Sequence, residues 1–424
     1  MESKRPMKVV LVNSSDTTGG AAVVTYRLMN ALRAEGVDAR MLVFCKNTRD
    51  DNVAQVPHAM SFLNECAYVF YRNGFSRRNL FRISAGRFGT SVARHPWARE
   101  ADVIALNWVN QGLLSLDGIE RLGSLGKPMV WTMHDMWPLT GACHHAYECT
   151  RYKDSCGSCP YIKGGAVKAD MSRFRWIRKH NLYDDVDITF VPVSSWLAER
   201  CRESSLLAKR DIEVIPNAFP TDLFSTVPSR RLDWMGVTPG KRLILMGAAR
   251  LDDPIKGLPY AVEALNILAE RRPDIAASTQ AVFFGNLRDH TALDGLRFPY
   301  LHAGPIHDKD LLHELYASAS VVLSSSLYET LPGTLIEGQA AGCLPVTFGR
   351  GGQCDIVDHL DNGYIADYRS AESLADGVEW ALDNPADRDR LHAQVKERFD
   401  SDVIARRYIA LFERLSGQKR YKDK

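Results

Sequence analysis

Short apolar, β-branched runs alternate along this chain with stretches whose apolar residues recur every three to four positions. The runs at 8–13, 38–44, 102–107, 129–133, 188–193 and 213–215 read as strands, and 21–35 reads as a helix closed by Gly36. A second series starts near Arg242, with strands at 243–246, 281–284 and 320–323, helices at 257–270 and 334–341, and a strand from Leu344. Strands and helices in alternation predict parallel sheets covered on both faces. Two series predict two Rossmann-like, doubly wound α/β domains, and 424 residues exceed one ordinary core. The boundary is expected at Pro216-Asn217-Ala218-Phe219-Pro220, giving domains over 1–216 and 217–400, with a C-terminal helix over 401–424 returning to the first. Residues 57–96 fit least. They carry a helical apolar pattern (Met60, Leu63, Ala67, Phe70) and then Arg interleaved with Phe, which suits a solvated helical insertion, or contact with a membrane surface or a phosphorylated acceptor. The segment Arg173-Phe174-Arg175-Trp176-Ile177-Arg178-Lys179 reads similarly, as an amphipathic helix with a basic face.

The most telling stretch is 324–347, SSSLYETLPGTLIEGQAAGCLPVT, with Glu329 and Glu337 eight positions apart. Glu329 is expected in the loop past the carboxyl end of a strand, where open parallel sheets bind ligands. Gly333, Thr334 and Leu335 open the next helix, and backbone N–H groups at a helix start suit a phosphate. Glu337 lies in that helix's first turns. Arg250 and Lys256, followed by Gly257, stand between a strand and a helix, where two cations can stabilise the charge of a departing diphosphate. In PMVWTMHDMWPLTGACHH, His134 and Asp135 fall at the carboxyl edge of another strand. Gly19-Gly20 forms a strand-to-helix turn without the lysine of a P-loop or the G-x-G-x-x-G of a dinucleotide site. Singly, each of these groups is more often a solvated charge, a capping acid or a structural histidine. The combination is far more specific.

Glu329 and Glu337 with their Pro-Gly-Thr spacer resemble the E-x7-E signature of the group 1 glycosyltransferases, and Arg250 with Lys256-Gly257 resembles that family's R-x-x-x-x-x-K-G. WTMHDMWPLTGACHH and Val193-Ser194-Ser195-Trp196-Leu197 are most similar to the capsular and colanic-acid type of bacterial transferases. The resemblance implies the GT-B fold, two Rossmann-like domains facing a cleft, and a retaining hexosyltransferase that works without a catalytic metal or other cofactor. The donor would be a UDP- or GDP-linked sugar, and the acceptor a glycan or lipid-linked molecule in cell-surface polysaccharide synthesis. Glu329 and His134 would hold the donor sugar, Glu337 the ribose, and Arg250, Lys256 and the start of the helix the phosphates. Gly19 and Gly20 would approach donor phosphates or acceptor. Many members carry Asn where this chain has Gly333. A nucleotide-sugar 2-epimerase of the same fold is the alternative enzyme.

Four of the nine cysteines cluster in 143–159, as Cys143, Cys149, Cys156 and Cys159. The C-x5-C-x6-C-x2-C spacing suits a tetrahedral zinc site, with unmetallated thiols or disulfides as the other outcomes and His144 or His145 as substitute ligands. A zinc-knuckle binding protein is therefore a third functional reading. Composition is that of a soluble globular chain, 45% hydrophobic and 25% charged, and the net charge of +2 offers no bulk attraction for nucleic acid. No run of about 18 apolar residues predicts a membrane span. The opening MESKRPMKVVLVN runs from charged residues straight into a strand, which points to the cytosol, with the inner face of the membrane as a further location. Asp185-Val186-Asp187 and Asp308-Lys309-Asp310 match D-x-D by letters alone.

Overall fold

The computed structural model describes residues 5–57, 59–163 and 169–422, with side chains described to residue 417. The chain divides into two compact units, 1–218 with 401–424, and 219–400.

The first unit is built on six parallel strands: β1 (Lys8–Ser15), β2 (Asp38–Cys45), β3 (Val53–Gln55), β4 (Val103–Leu106), β5 (Met129–Met133) and β6 (Ile188–Pro192), ordered β3-β2-β1-β4-β5-β6. β1 lies between β2 and β4, with Leu11 paired to Met41 on one side and Ala105 on the other. Its lack of alternation follows: Val9 to Val12 are buried because helices cover both faces. The helix Gly20–Ala34 covers one face, and the closing helix Ser401–Lys422 packs beside it. The Tyr408 hydroxyl meets Thr132 Oγ1 on β5 at 3.0 Å, so this distant segment ends with its polar atom satisfied in the core. Residues 423–424 lie outside the described residues.

The second unit repeats the plan with β7 (Arg242–Arg250), β8 (Thr279–Asn286), β9 (Tyr300–Gly304), β10 (Val321–Ser324), β11 (Leu344–Phe348) and β12 (Tyr364–Ala366), ordered β12-β11-β10-β7-β8-β9. Counted within each unit, the two strand orders are identical. Both are the doubly wound order whose ligand-binding crevice opens where the winding reverses, between β1 and β4 and between β7 and β10.

The structure differs from the sequence reading in places. Residues 213–215 form no strand; Ile212 makes one isolated bridge to Phe190, and Pro216 lacks the N–H that a longer pairing needs. β3, β9 and β12 are added, all three to five residues long, too short to show a period. In 57–96 the helix Ala59–Arg72 forms as expected, followed by largely irregular chain up to a short turn at Val92–Arg94 and a helix that starts at Pro96. The segment 173–179 is helical, within Met171–Asp185, but does not present a free basic face: Lys179 is fully buried, and Arg178 pairs with Asp117 and Glu120.

Candidate active site

In the second unit, three loops at the carboxyl ends of β7, β10 and β11 come together. β7 runs out through an irregularity between Gly247 and Arg250, so Arg250 is its last residue. Asp253 accepts from the Ile255 amide and starts the single turn Pro254–Lys256. Gly257 follows with φ 63°, and a Cβ there would lie 2.1 Å from the Ser325 carbonyl oxygen. Only glycine lets this loop sit against the β10 loop. Two hydrogen bonds fix the contact, Ser325 Oγ to the Lys256 carbonyl at 2.9 Å and Leu327 N to the Ile255 carbonyl at 2.8 Å. The β11 turn closes the third side: Gly352 N donates to the Glu329 carbonyl at 3.0 Å, and Cβ atoms on Gly351 and Gly352 would strike the Glu329 and Thr330 carbonyls at 2.5 and 1.9 Å.

This scaffold places Lys256 Nζ 2.5 Å from Glu329 Oε1. Burial alone would lower the lysine pKa; the Glu329 carboxylate outweighs it and holds the value above the usual lysine range. Arg250 reaches Asp253 at 2.8 Å and Asp252 at 3.6 Å. The helix Gly333–Ala340 begins next to Glu329, with Pro332 in the capping position, no side-chain cap and no acid in its first turn. Its Gly333 has a reason in packing: a Cβ would approach the Phe219 ring to 3.1 Å. Thr334 and Glu337 on that helix are half-buried, and Leu335 is buried. Arg250, Lys256, Glu329 and the helix carrying Glu337 thus all belong to the loops and helix at one sheet edge. Asp308, from a D-x-D string, is spent capping the helix Lys309–Ala317.

In the first unit, His134 follows β5 directly, and its Nε2 lies 3.3 Å from Asn107 Oδ1 beyond β4. Burial pushes the imidazole down to about 4 against a weaker upward pull from Asp135, so the ring is neutral at ordinary pH. Asp135 serves a separate buried network. It accepts from Trp108 Nε1 (2.7 Å) and the Trp137 amide (2.8 Å), and meets His144 Nδ1 at 2.7 Å. Burial would raise the Asp135 carboxyl, but His144 outweighs it and holds the pKa below the ordinary value. Gly19, at φ 90°, and Gly20 turn β1 into the helix Gly20–Ala34, which has no side-chain cap and no acid in its first turn. Nothing lies within 4 Å of where either Cβ would stand.

Two family models cover most of the chain. Residues 233–398 match glycosyl transferases group 1, and residues 18–223 match glycosyltransferase family 4. Both matched stretches are glycosyltransferase models, and together they mark the chain as a glycosyltransferase. An uncharacterized glycosyltransferase of Methanocaldococcus jannaschii is 28% identical over 319 residues, 69% of this chain and 78% of that protein. Among solved structures, a Rickettsia africae glycosyltransferase superposes with a TM-score of 0.66 at 14% identity, covering 96% of this chain and 98% of that one. Anabaena HepE, solved with UDP and glucose, gives 0.63 at 18% identity, covering 96% and 99%. At these identities the structures establish the GT-B fold, and the family models establish the glycosyltransferase class.

The sequence reading of this glycosyltransferase missed Asn107, which meets His134, and the Gly351-Gly352 turn that clasps Glu329. A Gly-Arg-Gly-Gly run directly after an apolar strand was the available signal for the second. Asn107 carried none, since its partner is 27 residues away. The four clustered cysteines all line one small cavity in the loop after β5. His144 is committed to Asp135 and to Ser84, 3.0 Å away, and is not available as a substitute ligand. No helix among the described residues is long and apolar enough to cross a membrane.

Proposed function

We propose that this glycosyltransferase moves a hexosyl group from a nucleotide sugar to a glycan or lipid-linked acceptor, keeps the anomeric configuration, and uses no catalytic metal. The Lys256–Glu329 pair beside Arg250 and an uncapped helix start, at the point where the sheet winding reverses, is the observation that carries this reading. Without donor, cation and carboxylate neutralise each other. A donor diphosphate entering at Arg250, Lys256 and the amides of Gly333, Thr334 and Leu335 would draw Lys256 away and release Glu329 to the sugar hydroxyls. The sugar C1–O bond then breaks with its electrons passing to the phosphate oxygen, whose growing charge the two cations offset. The acceptor hydroxyl forms the new C1–O bond and passes its proton to the departing phosphate oxygen. His134, as a neutral imidazole, is assigned to donor sugar hydroxyls, Glu337 to the ribose, and Gly19 and Gly20 to phosphate or acceptor. On this reading 217–400 is the donor domain and 1–216 with 401–424 the acceptor domain. UDP is favoured over GDP because HepE has been solved with UDP and with UDP-glucose. Synthesis of a cell-surface polysaccharide, with peripheral contact at a membrane, is the proposed setting.

Thermal shift with UDP, UDP-glucose and GDP tests the donor site. UDP-glucose should raise Tm in the wild type, and Glu337→Ala should abolish most of the shift while leaving the unliganded Tm close to wild type. An unchanged donor shift in Glu337→Ala would remove that residue from the site.

A further inference from the structure

We propose that Cys143, Cys149, Cys156 and Cys159 are the four ligands of one structural zinc ion that fixes the loop following β5. The site is separate from the donor machinery, and its readout does not depend on transferase activity.

All nine cysteines are free thiols in the structure, and these four line a single cavity of about 20 Å³. That is little more than the space of one small sphere. Among the described residues no three His, Cys, Asp or Glu side chains are grouped to hold a metal ion as they stand, so the four thiols would have to converge on binding.

The surrounding backbone is shaped for sulfur. Gly141 N donates to Cys156 Sγ at 3.1 Å; a Cβ on Gly141 would strike the Ser172 carbonyl oxygen at 2.2 Å and lie 2.8 Å from Cys156 Cβ, so glycine is needed between the two. The Ile162 amide donates to the Cys159 carbonyl at 3.3 Å. Between the last two cysteines, Gly157 and Ser158 both have positive φ, 147° and 47°, and Arg151 Nη1 holds both their carbonyls at 2.8 and 2.6 Å. A non-glycine residue held at positive φ is uncommon, and here it belongs to the tight turn of a C-x2-C knuckle.

Lys179 supplies the second observation. It has no solvent exposure, its ammonium donates to the Trp137 and Thr140 carbonyls at 2.5 and 2.9 Å, and it stands 3.5 Å over the Trp137 ring. Fully buried lysines are rare unless paired with negative charge. Cys156, Cys143 and Asp135 are its electrostatic neighbours. Four thiolates on Zn²⁺ would leave a net charge of −2, which a protonated Lys179 would offset.

Protein purified under reducing conditions without chelator should carry about one zinc per chain by elemental analysis. Cys156→Ser and Cys143→Ser should each remove most of the metal and lower Tm, whereas Cys45→Ser and Cys354→Ser, at exposed thiols elsewhere, should leave both unchanged. Replacement by Co²⁺ should give the visible ligand-field bands of a tetrahedral four-sulfur site. If the loop variants do not fold, zinc content and the Co²⁺ spectrum of the wild type decide the matter alone. Wild-type protein without zinc that fails to take up Co²⁺ in a four-sulfur environment would overturn the proposal, as would zinc retained in full by a folded Cys156→Ser.

Discussion

At the residue scale the unusual group is His134, whose neutrality is set by burial. Its pKa of about 4 lies below the unfolded imidazole value of about 6.5. As pH falls from about 6.5 toward 4, the unfolded chain gains a proton that the folded chain refuses, so stability is full above this window and declines through it. The slope from this one group is at most about 1.4 kcal/mol per pH unit. A series of Tm measurements from pH 7 to 4.5 should therefore show a steeper decline in the wild type than in His134→Gln. Parallel curves would mean that the imidazole is not held neutral by its surroundings. The neutral ring also fits the proposed role, since one nitrogen can accept from a sugar hydroxyl while the other donates. The position of His134 at the carboxyl edge of β5 was legible in the sequence because an apolar strand run precedes it. Its pairing with Asn107 was not, nor was the pairing of Lys256 with Glu329, because both contacts join residues far apart in the chain.

At the scale of elements, the central strands were legible because double-sided burial writes an unbroken apolar run, as in residues 8–13 on β1. The edge strands β3 and β12 were not, since three residues cannot display a period. Lys179 shows the same limit in a helix: a lysine among arginines reads as solvated, and only tertiary packing reveals that it is buried. The helix Ala59–Arg72 is the converse, apolar and exposed. Met60, Leu63 and Tyr71 are 60–70% exposed, and beyond the helix so are Phe75 and Phe81 at 67% and 66%, with Arg77, Arg78 and Arg82 also at the surface. Its inner side is anchored by Glu65, which accepts from the amides of Ala85, Gly86, Arg87 and Phe88 at 2.7–3.1 Å. Aromatics and arginines exposed together suit the interface of an anionic bilayer. The purified chain should sediment with vesicles containing anionic lipid and much less with neutral ones. Phe75→Ser with Phe81→Ser should weaken that binding by roughly tenfold or more, since each Phe buries apolar surface worth about 1.5–3 kcal/mol when fully sequestered. Equal partitioning of wild type and variant would assign this patch to something other than lipid.

For the whole molecule, the decisive question is whether the charge at the end of β7 does the work that a metal ion does in other transferases. The leaving diphosphate becomes more negative as the C1–O bond breaks, so fixed cations act on the transition state more than on bound donor. Arg250→Ala and Lys256→Ala should each lower kcat by roughly 10²-fold or more, about 2.7 kcal/mol, with a smaller change in KM. Lys256→Ala also leaves Glu329 without its partner, so adding Glu329→Ala to it should cost less than Glu329→Ala costs alone. Activity should persist in EDTA during a short assay, because neither cation is a metal and a four-thiolate zinc would exchange too slowly to interfere. NMR of the first-formed glycoside should show the anomeric configuration of the donor retained, and donor incubated without acceptor should not epimerise at C2. Prompt loss of activity in EDTA would refute the metal-free leaving-group model. An inverted product would overturn the assigned stereochemistry, and acceptor-independent conversion of the donor would move the chain to the epimerases.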